Sequence, residues 1–193
     1  MKETDCGTSE FCFNILSSDL SVVNLVGTLE LGIELDLLEL SEGLGATYEP
    51  EEYSSMVYKA QNGLSILVPT SGNIVLVGIQ TISGLKKGLN EFLENISELG
   101  IKLDPDISNM EIQNIVAKGH LDSEIDLTAL SIGLGLENAE YEPEQFPGLI
   151  YRVESAVVII FGSGKFVITG ADDTRSINFA YEKIRNDLSE LSL

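Results

Sequence analysis

The amino-acid sequence predicts an α+β protein made of two tandem copies of one unit, each an antiparallel sheet backed by helices. The first sign is internal repetition: YEPEEYSSMVYK at 48–59 returns 93 residues later as YEPEQFPGLIYR at 141–152, identical at 5 of 12 positions and similar at most others. SGNIVLVG at 71–78 likewise returns as SGKFVITG at 163–170, and Val23-Asn24-Leu25-Val26 as Gln113-Asn114-Ile115-Val116. Second, the apolar runs between turns are short and alternate with a period of two, the mark of antiparallel strands joined by tight connections. Third, each copy closes on a longer stretch whose apolar residues step by three and four, the mark of a helix with one buried face. The unequal offsets between matched segments indicate small insertions and deletions between the copies.

Taken in order, each copy opens on the strand that holds Asn-Leu-Val or Asn-Ile-Val. A leucine-rich stretch follows, around Leu35–Leu44 and Leu127–Leu136, and reads as a shorter helix; the Gly-rich GLGLENAE ends the second of these rather than forming a phosphate loop, since no Lys-Ser/Thr follows it. Four strands then begin near the YEP segment. The closing helix of the first copy aligns Ile82, Leu85, Leu89, Phe92, Leu93, Ile96 and Leu99, and that of the second Ile177, Ala180, Tyr181, Ile184, Leu188 and Leu191. Ten strands and four helices result. Alternation also assigns faces. If Gly162-Ser163-Gly164 is a three-residue hairpin loop with glycine in the left-handed position, Phe161 pairs with Lys165, and both share a face with Ile159, Val167 and Thr169. Ile160, Phe166 and Ile168 then face the long helix. Asn114, Val116 and Lys118 likewise share one face of their strand, leaving Ile115 and Ala117 for the core.

Composition restricts function. The 193 residues are 44% apolar, lack Trp and carry a formal charge of −20, so the chain is globular rather than disordered. No apolar run is long enough to span a bilayer, and the start MKETDCGTSE lacks the basic region of a signal peptide, so no membrane partner and a cytoplasmic location are expected. Cys6 and Cys12 lie near the start and the single His120 far from them, with neither zinc spacing nor a Cys-His pair. No nucleophile with a base and no paired carboxylates stand out, so neither an enzyme nor a cofactor is expected. Acid excess is spread evenly over both copies. It argues against a polyanionic partner at low ionic strength, and loses that force near 1 M salt, where charges are screened over a few ångströms.

One face of the deduced sheet is nonetheless unusual for a solvent surface: small, apolar, sparsely charged, with an amide at its centre and Phe146 and Phe161 beside tight bends. Burial in the core is the usual fate of such rings. A low-relief face of Val and Thr with a central Asn instead suits the minor groove of DNA, where adenine N3 and thymine O2 accept hydrogen bonds.

The segments QNIV (113–116), YEPEQFPGLIYR (141–152), FGSGK (161–165) and VITGA (167–171), in this order and within a tandem repeat, resemble the TATA-box-binding protein family from about Ser21 onward. The resemblance implies a saddle of about ten antiparallel strands with four helices on its convex side, whose concave face binds the minor groove of promoter DNA. It implies a tail over residues 1–18 and repeats over 19–105 and 106–193. It further implies that two Phe per repeat kink the DNA, that transcription factor B is recruited through a loop of the second repeat, and that the product is a pre-initiation complex with RNA polymerase in an archaeal cell.

Carried over by residue, Phe146 and Phe161 match the kinking pair, Asn114 the base-contacting amide, Val116, Val167 and Thr169 the groove contacts, and Arg152 and Lys165 the phosphate contacts. Glu142, Glu144 and Gln145 match the loop that meets transcription factor B. The first repeat keeps Asn24, Val26 and Val75, and has Lys59 for the expected Arg. It departs at Tyr53 and Pro69, which stand where the family has its kinking Phe pair and, as a ring and a proline wedge, are expected to contact DNA in altered form, at Asn73 where it has Lys, and at Val77 where it has Thr. Those departures, with the acidic charge, leave two readings open: an initiation factor that binds and bends A·T-rich DNA, or a paralogue that acts on transcription factor B with weak or no DNA binding.

Overall fold

The computed structural model of the chain describes residues 18–121, 123–135 and 137–192. Cys6 and Cys12 lie outside the described residues, as does all but the last residue of the expected tail. The elements run β1 (Leu20–Glu30), α1 (Leu37–Leu44), β2 (Ser55–Lys59), β3 (Ser65–Pro69), β4 (Asn73–Ile79) and α2 (Ile82–Glu98). A single 3₁₀ turn at Ile107–Asn109 leads into the second unit: β5 (Glu111–His120), α3 (Leu127–Leu134), β6 (Ala139–Glu140), β7 (Gly148–Val153), β8 (Ala156–Phe161), β9 (Lys165–Ala171) and α4 (Thr174–Leu191).

All the strands join one antiparallel sheet in the order β2-β3-β4-β1-β5-β9-β8-β7-β6. The sheet is curved, the two units are related by pseudo-symmetry, and the four helices back its convex side. Nine strands are regular. The counterpart of β6 in the first unit shrinks to one bridge, Thr47 to Val57, so the tenth strand is present only as that contact.

The two units meet along β1 and β5, where Asn24 pairs with Val116, Leu25 with Ile115 and Val26 with Asn114. Shifts of register follow on both sides, between Val22 and Asn24 and between Val26 and Gly27. Such bulges sharpen strand twist and bend, which curves the centre of the sheet.

The core lies between sheet and helices. Leu25, Met56, Ile66, Val68, Ile74 and Leu76 pack beneath Leu85, Leu89, Phe92 and Ile96 of α2, and Ala117, Leu149, Val158, Ile160 and Ile168 beneath Ile177, Ala180 and Ile184 of α4, all solvent-free. Burying each large aliphatic chain is worth about 1.5–3 kcal/mol, so this layer dominates stability. Leu99 departs from its expected place: the helix ends at Glu98, and Leu99 caps it half-exposed, with its methyls against Gly43 of α1. Leu93 and Leu191 sit at the edge of the core.

Each long helix is also pinned to the sheet by a tyrosine. Tyr58 donates to Glu91 Oε1 at 3.0 Å and accepts from Asn95, while Tyr151 donates to Asp187 Oδ2 at 2.9 Å beside the Lys183–Asp187 ion pair. Burial, then the neighbouring carboxylate, raises both phenols above their ordinary range. All four helices begin on a side-chain cap: Asp36 and Asp126 on the short ones, Thr81 and Asp173 on the long ones.

Candidate nucleic-acid interface

The residues left on the concave side follow from strand alternation. Across the sheet they run Val57 and Lys59 on β2, Leu67 and Pro69 on β3, Asn73, Val75 and Val77 on β4, and Asn24, Val26 and Thr28 on β1. The second unit continues with Asn114, Val116 and Lys118 on β5, Lys165, Val167 and Thr169 on β9, Val157, Ile159 and Phe161 on β8, and Ile150 and Arg152 on β7. Every one of these is half-buried or exposed, whereas their chain neighbours on β2–β4 and β7–β9 are mostly buried, and no helix covers them. The pairing Ile159 with Val167 and Ile160 with Phe166 places Phe161 opposite Lys165, as the sequence predicts. Gly164 takes φ +81°, closes the loop by donating to the Phe161 carbonyl at 2.8 Å, and has no room for a Cβ, which would lie 2.3 Å from the Ser123 carbonyl oxygen.

At the centre two amides are fixed in equivalent ways. Gly78 donates its N–H to Asn24 Oδ1 at 2.9 Å, and Gly170 donates to Asn114 Oδ1 at 2.8 Å. With each oxygen turned toward a glycine N–H, each Nδ2 is left as the donor offered by the amide. The two differ in one neighbour. Asn114 Nδ2 lies 3.3 Å from Thr169 Oγ1, whereas the position equivalent to Thr169 in the first unit is Val77, which has no hydroxyl. Gly78 and Gly170 were not among the expected site residues, although both end the repeated segments SGNIVLVG and SGKFVITG. Thr28 is a further addition: its Oγ1 accepts from Gln113 Nε2 at 3.0 Å on the same side of the sheet.

At the second-unit end of the face the two phenylalanines form one wedge. Phe146 and Phe161 lie 6.0 Å apart, ring centre to ring centre, with planes inclined by 63°, in edge-to-face contact. Neither ring points toward the helices, and Phe146 is 39% exposed. Gly148 seats the pair: a Cβ there would lie 2.7 Å from Phe146 Cε1 and 3.1 Å from Phe161 Cε1. The Pro-Gly of this segment therefore makes space for rings as well as a break in the chain. At the other end Tyr53 is 65% exposed and Pro69 pairs with Ser55.

The charged residues are few. Lys59, Lys118 and Lys165 are exposed, and Arg152 pairs at 3.4 Å with Glu140 on β6, both side chains being more than half exposed. The loop before Phe146 is a single turn in which Gln145 and Phe146 both donate their N–H to the Glu142 carbonyl, each at 2.9 Å, and the Gln145 side chain caps Glu142. Glu142, Glu144 and Gln145 are all exposed. The first unit repeats this turn, with Glu52 and Tyr53 donating to the Glu49 carbonyl. Among the described residues no group of acidic, His or Cys side chains is arranged to hold a metal ion, and no helix is long and apolar enough to cross a membrane.

A doubled α+β unit whose shared sheet presents an apolar, amide-centred concave face with aromatic ends defines the class of protein. The family model described as transcription factor TFIID (or TATA-binding protein, TBP) matches the chain twice, over residues 19–99 and 109–191. TATA-box-binding protein E of Halobacterium salinarum is 40% identical over 178 residues, covering 90% of this chain and 95% of its own. TATA-box-binding protein 1 of Haloferax volcanii is 41% identical over 178 residues, covering 90% and 94%. The solved structure of Methanococcus jannaschii TBP superposes with a TM-score of 0.79 at 33% identity, covering 89% of this chain and 99% of that one. The chain belongs to the TATA-binding protein family.

Proposed function

We propose that this protein is a general transcription initiation factor that binds A·T-rich promoter DNA in the minor groove, bends it, and recruits transcription factor B. The pair of central amides is the observation that carries this reading. With Oδ1 held by Gly78 or Gly170, Asn24 and Asn114 present N–H donors side by side on a low surface of Val26, Val75, Val116, Val167 and Thr169. Adenine N3 and thymine O2 are acceptors, whereas guanine places an amino donor between them, so donors at this point favour an A·T pair. Phe146 and Phe161 form a ring edge suited to entering a base step, at a cost of a few kcal/mol that wider contact with bent DNA offsets; TATA-binding proteins are themselves a type example of that mode. Lys59, Arg152 and Lys165 are placed beside the face to meet phosphates. Glu142, Glu144 and Gln145 project from the second-unit loop, free of the helices, and supply the acidic surface for transcription factor B.

The alternative of a paralogue without DNA binding has the altered first unit in its favour. The intact wedge, the two anchored amides and the apolar face weigh against it. Fluorescence anisotropy of a labelled TATA-containing duplex, titrated at low and at molar salt and followed by addition of transcription factor B, tests both steps. Saturable binding that exceeds a G·C-rich control and a further rise with transcription factor B are expected. Equal binding of both duplexes at both salts would exclude the reading.

A further inference from the structure

We infer that the wedge at the second-unit end is the only one this protein drives into DNA, so that the bound duplex is kinked at one end of the site and merely follows the sheet at the other. The inference rests on the minor-groove reading above and concerns what the two ends of that face do.

The backbone devices that would present a wedge are the same in both units. Leu31 and Leu35 donate to the Gly72 and Thr70 carbonyls at 2.9 and 3.0 Å; in the same way Leu121 and Ile125 donate to the Gly164 and Gly162 carbonyls at 2.8 and 2.9 Å. Gly72 and Gly164 share the left-handed conformation, with φ of 76° and 81°. The loops before β2 and β7 make the same turn on Glu49 and Glu142. With the scaffold held constant, the side chains alone decide.

They decide differently. In the second unit one ring braces the other, edge to face, over a glycine that leaves space for both. In the first unit Ser55 stands at the position of Gly148, facing Pro69 as Gly148 faces Phe161. Pro69 offers a small saturated ring in place of a flat aromatic one. Tyr53 has no aromatic partner among the described residues and stands 65% exposed, so no second ring holds its edge against a base step. Partial unstacking of a step is repaid by a ring that replaces the lost stacking, and an unbraced phenol with a hydroxyl at its tip repays it poorly.

Charge adds to the contrast. Lys165 flanks the intact wedge, while Asn73 occupies the matching place at the other end. The first-unit loop carries three exposed carboxylates, Glu49, Glu51 and Glu52, where the second carries Glu142 and Glu144. Phosphates are therefore drawn in beside Phe161 and repelled beside Pro69.

The test is resonance energy transfer between dyes at the two ends of a duplex holding one A·T-rich box, read at saturating protein, with binding followed separately by anisotropy. Phe161→Ala and Phe146→Ala should each remove more than half of the bend seen with the unaltered protein. Pro69→Ala and Tyr53→Ala should leave it unchanged. The triple change Tyr53→Phe, Ser55→Gly and Pro69→Phe should add a second kink and increase the transfer. Loss of bend in Pro69→Ala or Tyr53→Ala equal to that in Phe161→Ala would overturn the inference, as would a full bend surviving Phe161→Ala. Absence of saturable binding by the unaltered protein would instead remove the minor-groove reading itself, an outcome that anisotropy distinguishes from a bound but straight duplex.

Discussion

Asn114 can be separated into its two jobs by a near-isosteric exchange. In Asn114→Asp the carboxylate still accepts from the Gly170 N–H, but the outward donor becomes an acceptor facing the acceptors of an A·T pair. Thermal melting should therefore be unchanged while affinity for a TATA-containing duplex falls at least about tenfold, the scale of one good base contact at about 1.4 kcal/mol per factor of ten. Binding equal to that of the unaltered protein would remove the amide from the interface. At this scale the sequence made much visible: alternation alone placed Phe161, Lys165, Val167 and Thr169 on one side and Ile160, Phe166 and Ile168 on the other. It did not disclose why the amides point as they do. That depends on Gly78 and Gly170, which approach from strands 54 and 56 residues away in the chain, a distance at which no local pattern reports a contact. Gly148 escaped for a similar reason, since a glycine after proline reads as a turn until the rings it accommodates are seen.

Among the elements, α4 shows how an end condition fixes a helix. Its face of Ile177, Ala180, Tyr181, Ile184 and Leu188 was plain in the three- and four-residue steps, but where it starts is set by Asp173, whose carboxylate accepts from the Ser176 N–H at 2.7 Å. That hydrogen bond, foremost, lowers the Asp173 pKa below the ordinary aspartate range, against the opposing effect of burial. A depressed value means the folded state prefers the ionised form. The stabilisation is then complete above the unfolded value near pH 4 and drains away as pH falls through the lowered folded value. Asp173→Ala should cost about 1 kcal/mol at pH 7, and the gap between its melting curve and that of the unaltered protein should narrow on acidification toward pH 2. A gap that stays constant with pH would show that the cap does not act through its charge. The tenth strand was the element that alternation overstated, because at Thr47 the pairing lasts for one residue only.

For the whole molecule, charge and interface pull in opposite directions. Three cations, Lys59, Arg152 and Lys165, are the proposed phosphate contacts, and one of them, Arg152, is already engaged by Glu140. Three phosphate contacts would give a slope of log K against log salt of about −2.7 by counterion release. The net charge of −20 opposes that, since added salt also screens the repulsion between the acidic body and DNA. Titrations from low to molar salt should therefore give a slope shallower than about −2.7, and the charge-reversing pair Glu49→Lys and Glu52→Lys should steepen it. A steeper slope in the unaltered protein would mean that cations beyond these three reach the backbone. Duplication was legible at this scale from the repeated segments alone, but the way the halves join was not, because the paired Leu25 and Ile115 are far apart in the chain and each of their strands reads as an ordinary one.

That join has a consequence of its own. Asn24 faces Val116 while Val26 faces Asn114, so the contact about Leu25 and Ile115 is reciprocal, each half offering the other the same edge. A surface that matches its own rotated image is what two identical subunits use to form a closed pair. The covalent tether thus encloses what is geometrically a homodimer, and by making the partners a single chain it lets one member drift, as at Tyr53 and Pro69, without ever having to recognise a changed copy of itself.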